Sequence, residues 1–372
     1  MKLVVPAELY ENESRVSITP DIIPSLTKMG FKVFVQSNAG LGSSYTDDDY
    51  KKSGAIISSK LTELYSKADL VIKVQRPSKQ KKTDEFKLLN NCTLITLLYE
   101  QKFKNEFSSL KKLNINVFAL EKMPRISRAQ SMDVLSSQSN LSGYKAVIDA
   151  ASLFNKAFPL MMTSAGTVAP AKVLVIGAGV AGLQAIATAK RLGAVVSSFD
   201  VRASTKEQVE SLGAKFIQVE EKPDSGETAA GYAKEMSASY KKKQAKLLED
   251  SIAKTDIVIT TALIPGKPAP KLITKKMVEL MKVGSVIIDL ASEFGGNCEL
   301  TKHGEIVNHK SKKIVGPKNL PSTVSQDSSR LFAKNVINFL MNSCESGKFE
   351  DFNWDDEVVK ETCVIHNLKK GK

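Results

Sequence analysis

Hydrophobic positions along the chain fall into two alternating series. Over residues 1–120 the short β-branched runs KLVVPAE, FKVFVQSN, DLVIKVQ, CTLITLL and INVFALE read as strands. Between them, TPDIIPSLTKMG and FKNEFSSLKKL carry apolar side chains at helical spacing. Residues 130–157 contain few breakers and predict a long helix leading out of the first half. A second series starts at KVLVIG and runs through AVVSSFDV, AKFIQV, DIVITTAL and VGSVIIDLA. Residues 320–345 turn helical again after Pro321. Strands alternating with helices predict parallel sheets covered on both faces. The expected fold is α/β, with two Rossmann-like doubly wound domains joined by long helices. The first domain is expected to be discontinuous, residues 1–130 plus 320–372, and the second to span 131–319.

One region breaks the rhythm. Residues 220–245, EEKPDSGETAAGYAKEMSASYKKKQA, put Pro, Gly, Ser and charges between two strands. That is long for such a connection. It reads either as a solvated insertion with part of a helix or as a mobile lid.

Length and composition narrow the classes. The chain has 372 residues, and 42% are hydrophobic, which is enough to bury two cores of ordinary size. A net charge of +13 raises nucleic acid or a membrane surface as partners. The lysines are spread along the whole chain, and the runs at Lys79, Lys81, Lys82 and at Lys241–Lys243 lack interleaved aromatics, so solvated surface is the plainer reading. The four cysteines are far apart and no ligand spacing joins them to a histidine, so neither a metal site nor a disulfide framework is expected. The N-terminal apolar run is too short for a signal peptide. Residues 173–189 lack charge, but a membrane helix needs about 20 apolar residues, and the glycines at the centre offer a better account.

Those glycines are Gly177, Gly179 and Gly182, in VLVIGAGVAG, after an apolar strand and before the helical LQAIATAKRLG. The spacing permits a tight turn, close approach of a pyrophosphate and close helix–strand packing, with the helix N-terminus facing the phosphates. Ala178 and Val180 fill the turn between them. The next strand ends at Asp200, eighteen residues past Gly182, where a carboxylate accepts from an adenosine ribose and repels a 2′-phosphate. The expected cofactor is therefore NAD(H), with Val201 beside the ribose. Arg202, also adjacent, works against that choice. TTALIPGKPAP follows the strand DIVIT at the carboxyl edge of the same sheet, where Thr261, Ala262, Leu263, Pro265 and Gly266 form either a cofactor-facing loop or simple turn chemistry.

A different chemistry is crowded into residues 124–140, PRISRAQSMDVLSSQSN. Only seven of the 53 basic side chains are arginines, yet Arg125 and Arg128 both fall here. Arginine supplies a planar fork that lysine cannot imitate. If the stretch is helical, Gln130, Asp133 and Ser136 lie roughly on one side. The competing reading is a polar helix start capped by Ser127 or Ser131.

These segments together resemble the proton-translocating NAD(P) transhydrogenases, at their soluble NAD(H)-binding portion. RISRAQSMDVLSSQSNLSGYKAV, GAGVAGLQAIATAKRLGAVV, DVRASTKEQVESLGAKF, TTALIPGKPAPKLIT and SVIIDLASEFGGN carry the likeness, which extends over essentially the whole chain. The resemblance implies that Arg125, Gln130, Asp133 and Ser136 surround the nicotinamide and that Tyr232 is the tyrosine of a mobile loop near 220–240. It implies a homodimer without a membrane span, held at the cytoplasmic side of the inner membrane by membrane-spanning partner subunits. NADP(H) would sit on a partner subunit, and the hydride would pass between the two nucleotides as protons cross the membrane. Alanine dehydrogenases belong to the same superfamily and give the alternative, an amino-acid dehydrogenase. Arg15 and Lys73 match that cousin's substrate-carboxylate residues, as inherited scaffold or as a residual pocket. Tyr99 stands where the cousin has its catalytic histidine, and Glu293 takes its acidic position. A dehydrogenase needs a general acid/base; hydride exchange between two nicotinamides does not. A non-catalytic NAD-binding sensor is the third reading.

Overall fold

The computed structural model describes residues 1–80, 83–219, 237–264, 268–344 and 347–368. Contacts divide the chain into two compact units, Met1–Gln138 with Pro321–Lys372, and Ser139–Leu320. The strands, numbered along the chain, are β1 (Lys2–Val5), β2 (Lys32–Gln36), β3 (Ile56–Ser58), β4 (Leu70–Gln75), β5 (Thr93–Leu97), β6 (Asn116–Ala119), β7 (Met161–Thr163), β8 (Gly166–Val168), β9 (Lys172–Ile176), β10 (Val195–Phe199), β11 (Lys215–Ile217), β12 (Ile257–Thr260), β13 (Val286–Asp289), β14 (Ile306–His309), β15 (Lys312–Val315) and β16 (Cys363–His366). Four longer helices are α1 (Val134–Leu153), α2 (Val180–Arg191), α3 (Ala238–Ile252) and α4 (Ser325–Met341).

The first unit holds a seven-stranded sheet in the order β16-β6-β5-β4-β1-β2-β3. Every pairing is parallel except that of β16 with β6. Alternate residues of the central strands enter two cores. Val4, Val71, Leu94 and Val117 pack on one face, with Leu64 and Leu110. Leu3, Ile72, Ile95 and Phe118 pack on the other, under α4. That helix contributes Phe332, Val336, Phe339 and Leu340 from the far end of the chain. Phe118 stands 5.4 Å from Phe339 and 4.3 Å from Phe352, ring centre to ring centre, so the C-terminal segment supplies core aromatics to a sheet built by the N-terminal one.

The second unit repeats the plan, with the order β11-β10-β9-β12-β13-β15-β14. It is parallel apart from the β14–β15 edge. Leaving aside the antiparallel edge strands, both sheets run 3-2-1-4-5-6, and the direction of winding reverses between the first and fourth strands, where such sheets bind ligands. Val173, Val175, Ile257 and Ile288 face α1 and α2; Leu174, Val258 and Ile287 face α3. On the α1 and α2 side the helix residues are small: Ala146, Ala150, Ala185 and Ala189 are all buried. A Cβ at Gly143 would overlap the Ala181 carbonyl, so α1 and α2 meet nearly backbone to backbone.

Two differences from the sequence pattern stand out. The third strand of the first sheet, Ile56–Ser58, is only three residues long, too short for periodicity to find. Both antiparallel edge strands were also hidden, because the short IVNH and CVIH segments mix polar and apolar residues much as loops do.

Replacing Phe339 by alanine removes a fully buried ring from the aromatic cluster. The expected loss is about 3–5 kcal/mol from the stability of the first unit, measured by denaturant unfolding monitored at Trp354.

Candidate functional site

The glycine turn sits at the reversal point of the second sheet. Gly177 follows β9 with φ +100°, a conformation that disfavours a side chain. A Cβ there would also meet Thr261 Oγ1 at 2.6 Å. Gly182 lies on the first turn of α2, where a Cβ would overlap the carbonyl oxygen of Gly177. Nothing crowds Gly179, which precedes the first helical residue in an extended conformation. No side chain among the described residues caps this helix start, and the first N–H groups of a helix have no partner within the helix itself. Lys190 and Arg191 in the last turn complement the dipole at the other end. Val180 is exposed and Ala178 is buried.

Asp200, past the end of β10, accepts the Ala178 N–H at 2.7 Å and so ties the second strand to the glycine turn. Its other bonds come from Arg202, through the backbone N–H at 2.9 Å, Nε at 3.0 Å and one terminal guanidinium nitrogen at 2.9 Å. Val201 is partly buried against the α3 side of the core. The carboxylate also lies near Tyr240 of α3, whose phenol is pushed up by burial and by that charge.

The loop after β12 is the neighbour of the glycine turn. Thr261 donates its hydroxyl to Gly177 O at 3.0 Å, and Ala262 donates its N–H to Asn297 Oδ1 at 3.1 Å. Asn297, wholly buried, donates back to Ala262 O at 2.8 Å and to Pro270 O at 2.9 Å. It clips both ends of the loop together. Leu263 is exposed between them. Pro265, Gly266 and Tyr232 lie outside the described residues. The sequence held Asn297 in plain view, at the end of SEFGGN, but a lone asparagine after a glycine pair reads as an ordinary turn.

The arginine-rich stretch belongs to the first unit as far as Gln138. It is not one helix. Ser127–Met132 forms a 3-10 turn, and α1 starts only at Val134. Asp133, between them, takes an extended conformation. Its carboxylate accepts the Ser136 N–H at 3.0 Å and the Ser136 hydroxyl at 2.5 Å. The cap is therefore Asp133 and neither Ser127 nor Ser131, the caps of the competing reading; a carboxylate accepts from the N3 amide and favours the positive helix end. Gln130 rides on the 3-10 turn and Ser136 on the first turn of α1, so they approach from different elements.

A polar seam fixes this stretch from behind. The Ser131 carbonyl accepts from Asn335 at 2.8 Å and Asn338 at 3.0 Å, both on α4. The Ser137 hydroxyl donates to Asn335 Oδ1 at 2.7 Å. Gln138, buried, accepts from Arg15 at 2.8 Å and from the Ser328 hydroxyl, and donates to Ser328 O at 3.1 Å. Arg128 forks onto Asp356, at 2.8 and 3.2 Å, and reaches Asn342 at 3.1 Å. Arg128 thus pins the C-terminal segment, and of the two arginines Arg125 is the candidate for site chemistry.

Arg15 and Lys73 occupy the first unit's own reversal point, and their charges are already used. Arg15 forks onto Glu13 at 2.8 and 2.6 Å. Lys73 bonds Glu85 at 2.7 Å and stands 3.4 Å from Glu8. All five side chains are buried. Burial alone would lower the Lys73 pKa; Glu8 and Glu85 outweigh it and hold it above the ordinary lysine value. Burial pushes Glu8 up to about 7 although Lys73 pulls the other way. With three acids for two cations, the cluster holds a proton near neutrality. Tyr99 is partly buried at the end of β5, and Glu293 is exposed.

Glu8 has a folded pKa raised above its unfolded one, so its contribution favours folding at low pH and is lost as pH rises through about 7. Glu8→Gln is expected to flatten that part of the stability profile between about pH 5 and 8, by on the order of 1–3 kcal/mol at the alkaline end, in denaturant titrations across pH.

Comparison with known proteins gives a consistent picture. The model of the alanine dehydrogenase/PNT N-terminal domain matches residues 4–142, and that of the C-terminal domain matches residues 146–370. The chain is 54% identical over 371 residues to the first portion of the NAD(P) transhydrogenase alpha subunit of Rhodospirillum rubrum, covering 99% of this chain and 97% of that one. Its structure superposes on transhydrogenase from Sinorhizobium meliloti with a TM-score of 0.89 at 44% identity, covering 99% of each chain. An L-alanine dehydrogenase shares the fold, with a TM-score of 0.80 at 22% identity over 99% of this chain and 96% of that one.

Proposed function

Because the chain belongs to the alanine dehydrogenase/PNT family, we propose that it is the NAD(H)-binding component of a proton-translocating transhydrogenase. It passes a hydride between NADH and NADP⁺ held on a partner subunit. The observation that carries this reading is the second unit's reversal point. There a helix start with no side-chain cap among the described residues, a glycine turn that tolerates no side chain at Gly177 or Gly182, and Asp200 stand at two adjacent strand ends, those of β9 and β10. An anionic dinucleotide satisfies the free N–H groups, and a ribose suits the carboxylate.

The chemistry asked of this chain is small. The hydride leaves C4 of the dihydronicotinamide with both bonding electrons and enters C4 of the oxidised ring, and no proton moves at either carbon. Rate then depends on holding the rings in register and excluding water. Arg125, Gln130, Asp133 and Ser136 are proposed to position the nicotinamide. The seam of Asn335, Asn338 and Gln138 supports that role by removing slack from the backbone that carries them. Amino-acid oxidation is the less supported reading, because Arg15 and Lys73 face internal carboxylates and have no charge left for a substrate.

No helix among the described residues is long and apolar enough to cross a membrane. Proton movement is therefore assigned to membrane-spanning partner subunits, which hold this chain at the cytoplasmic face. The relatives' designation as alpha subunits supports a multi-chain complex. A homodimer is proposed as well. Among the described residues the β7–β8 hairpin pairs only with itself, and it exposes Met161 and Met162 beside Leu160, Met162 at 84%. An apolar arm of this kind suits a second copy.

Reconstitution with an NADP(H)-binding partner tests the main reading: NADH should reduce the partner's nucleotide, while alanine with NAD⁺ should give no turnover. In the same assay Gln130→Asn should cut turnover at saturation by on the order of 100-fold while weakening NADH binding less than about tenfold. Poor binding with normal saturated turnover would make the loop a clamp. Met162→Asp should shift the chain toward monomer in analytical ultracentrifugation, and an unchanged mass would sever the hairpin from dimerisation.

A further inference from the structure

Asp200 is the residue expected to receive the adenosine ribose, yet its carboxylate is already full. A carboxylate offers about four acceptor positions. Here two are taken by backbone N–H groups, from Ala178 and Arg202, and two by the Arg202 guanidinium. Its side chain is 5% exposed and that of Arg202 is 16% exposed, so little of the carboxylate is open to an incoming hydroxyl.

The four donors differ in what they can do. The Ala178 N–H belongs to the glycine turn, and the Arg202 N–H is fixed by the backbone just past β10. Neither can leave without dismantling the site. The guanidinium hangs on a flexible stem and can swing away. We propose that Arg202 is a latch on Asp200: its fork occupies the places of the ribose hydroxyls and must be displaced for the nucleotide to bind. Arg202 thereby sets how much the ribose diol adds to affinity. This inference rests on the reading of the second unit as an NAD(H) site.

The latch has a thermodynamic signature. A nucleotide with its full diol gains two hydrogen bonds to Asp200 but loses the arginine fork. A 2′-deoxy nucleotide has less to offer and leaves the fork largely in place. In the wild-type chain the 2′-hydroxyl therefore contributes little net affinity, since it replaces a charge-assisted pair. Removing the fork while keeping the stem unmasks its full worth. The comparison between two nucleotides of equal charge cancels any general effect of losing a positive side chain.

The experiment measures dissociation constants for NADH and 2′-deoxyadenosine-NADH by nucleotide fluorescence, on the wild-type chain, Arg202→Met and Arg202→Lys. The expected result is that the affinity ratio favouring NADH rises on the order of tenfold in Arg202→Met, the worth of one charge-assisted hydrogen bond. Arg202→Lys, charged but without the fork, should fall between. A ratio that stays unchanged or falls in Arg202→Met, with NADH still bound, overturns the latch and makes Arg202 a supporting or direct contact. Failure of the wild-type chain to bind NADH at all overturns the reading of the site itself, and the latch with it.

Discussion

One close approach governs the second unit: the backbone of α2 at Gly182 lies against the carbonyl of Gly177, with no room for a single methyl group between them. Because the helix can come that near, its first turn stands directly over the end of β9. Thr261, on the neighbouring strand end, is then near enough to bond the same carbonyl. Asp200 reaches the turn from the other side through the Ala178 N–H. Three strand ends are thus tied to one glycine turn, and the uncapped helix start is held over it rather than left to fray. The anion-binding role proposed for the site rests on packing first and on charge second.

Much of this was legible in the sequence, because its signals are local. A glycine pattern with fixed offsets, an apolar strand before it and a helical run after it need no knowledge of distant residues. The carboxylate at the end of the next strand is likewise found by counting. What escaped were features set by tertiary contacts. The helical reading across residues 130–136 failed at Asp133, where a side chain that accepts the Ser136 N–H stops the turn and restarts it as α1. Asn335 and Asn338 look like surface asparagines on a helix until Ser131 is brought opposite them. The clip at Asn297 depends on two loop segments that are far apart in sequence. Such partners leave no periodicity to detect.

The two reversal points contrast in their electrostatics. In the second unit, the helix start over the glycine turn has no side-chain cap among the described residues, and N–H groups in that position favour an anion. In the first unit, five buried charged groups neutralise one another, with Glu8 able to hold a proton. Buried pairs of this sort contribute little net stability but are expensive to break singly. The same sheet topology thus carries two different fillings, a glycine turn and helix start proposed to take a charged ligand in the second unit and a buried set of paired charges in the first.

The order of assembly follows from the aromatic contact between Phe118 and the C-terminal helix. Residues 139–320 contain every strand of their own sheet, so that unit is whole as soon as its stretch of chain has been made. The first unit, begun at residue 1, lacks α4, the aromatics around Phe352 and its edge strand β16 until the chain has been made as far as His366. A nascent chain therefore carries an exposed apolar sheet face until α4 has been made. Of the two units, the one that starts first is the last to close, and a stop soon after residue 320 releases a finished second unit joined to an unfinished first one.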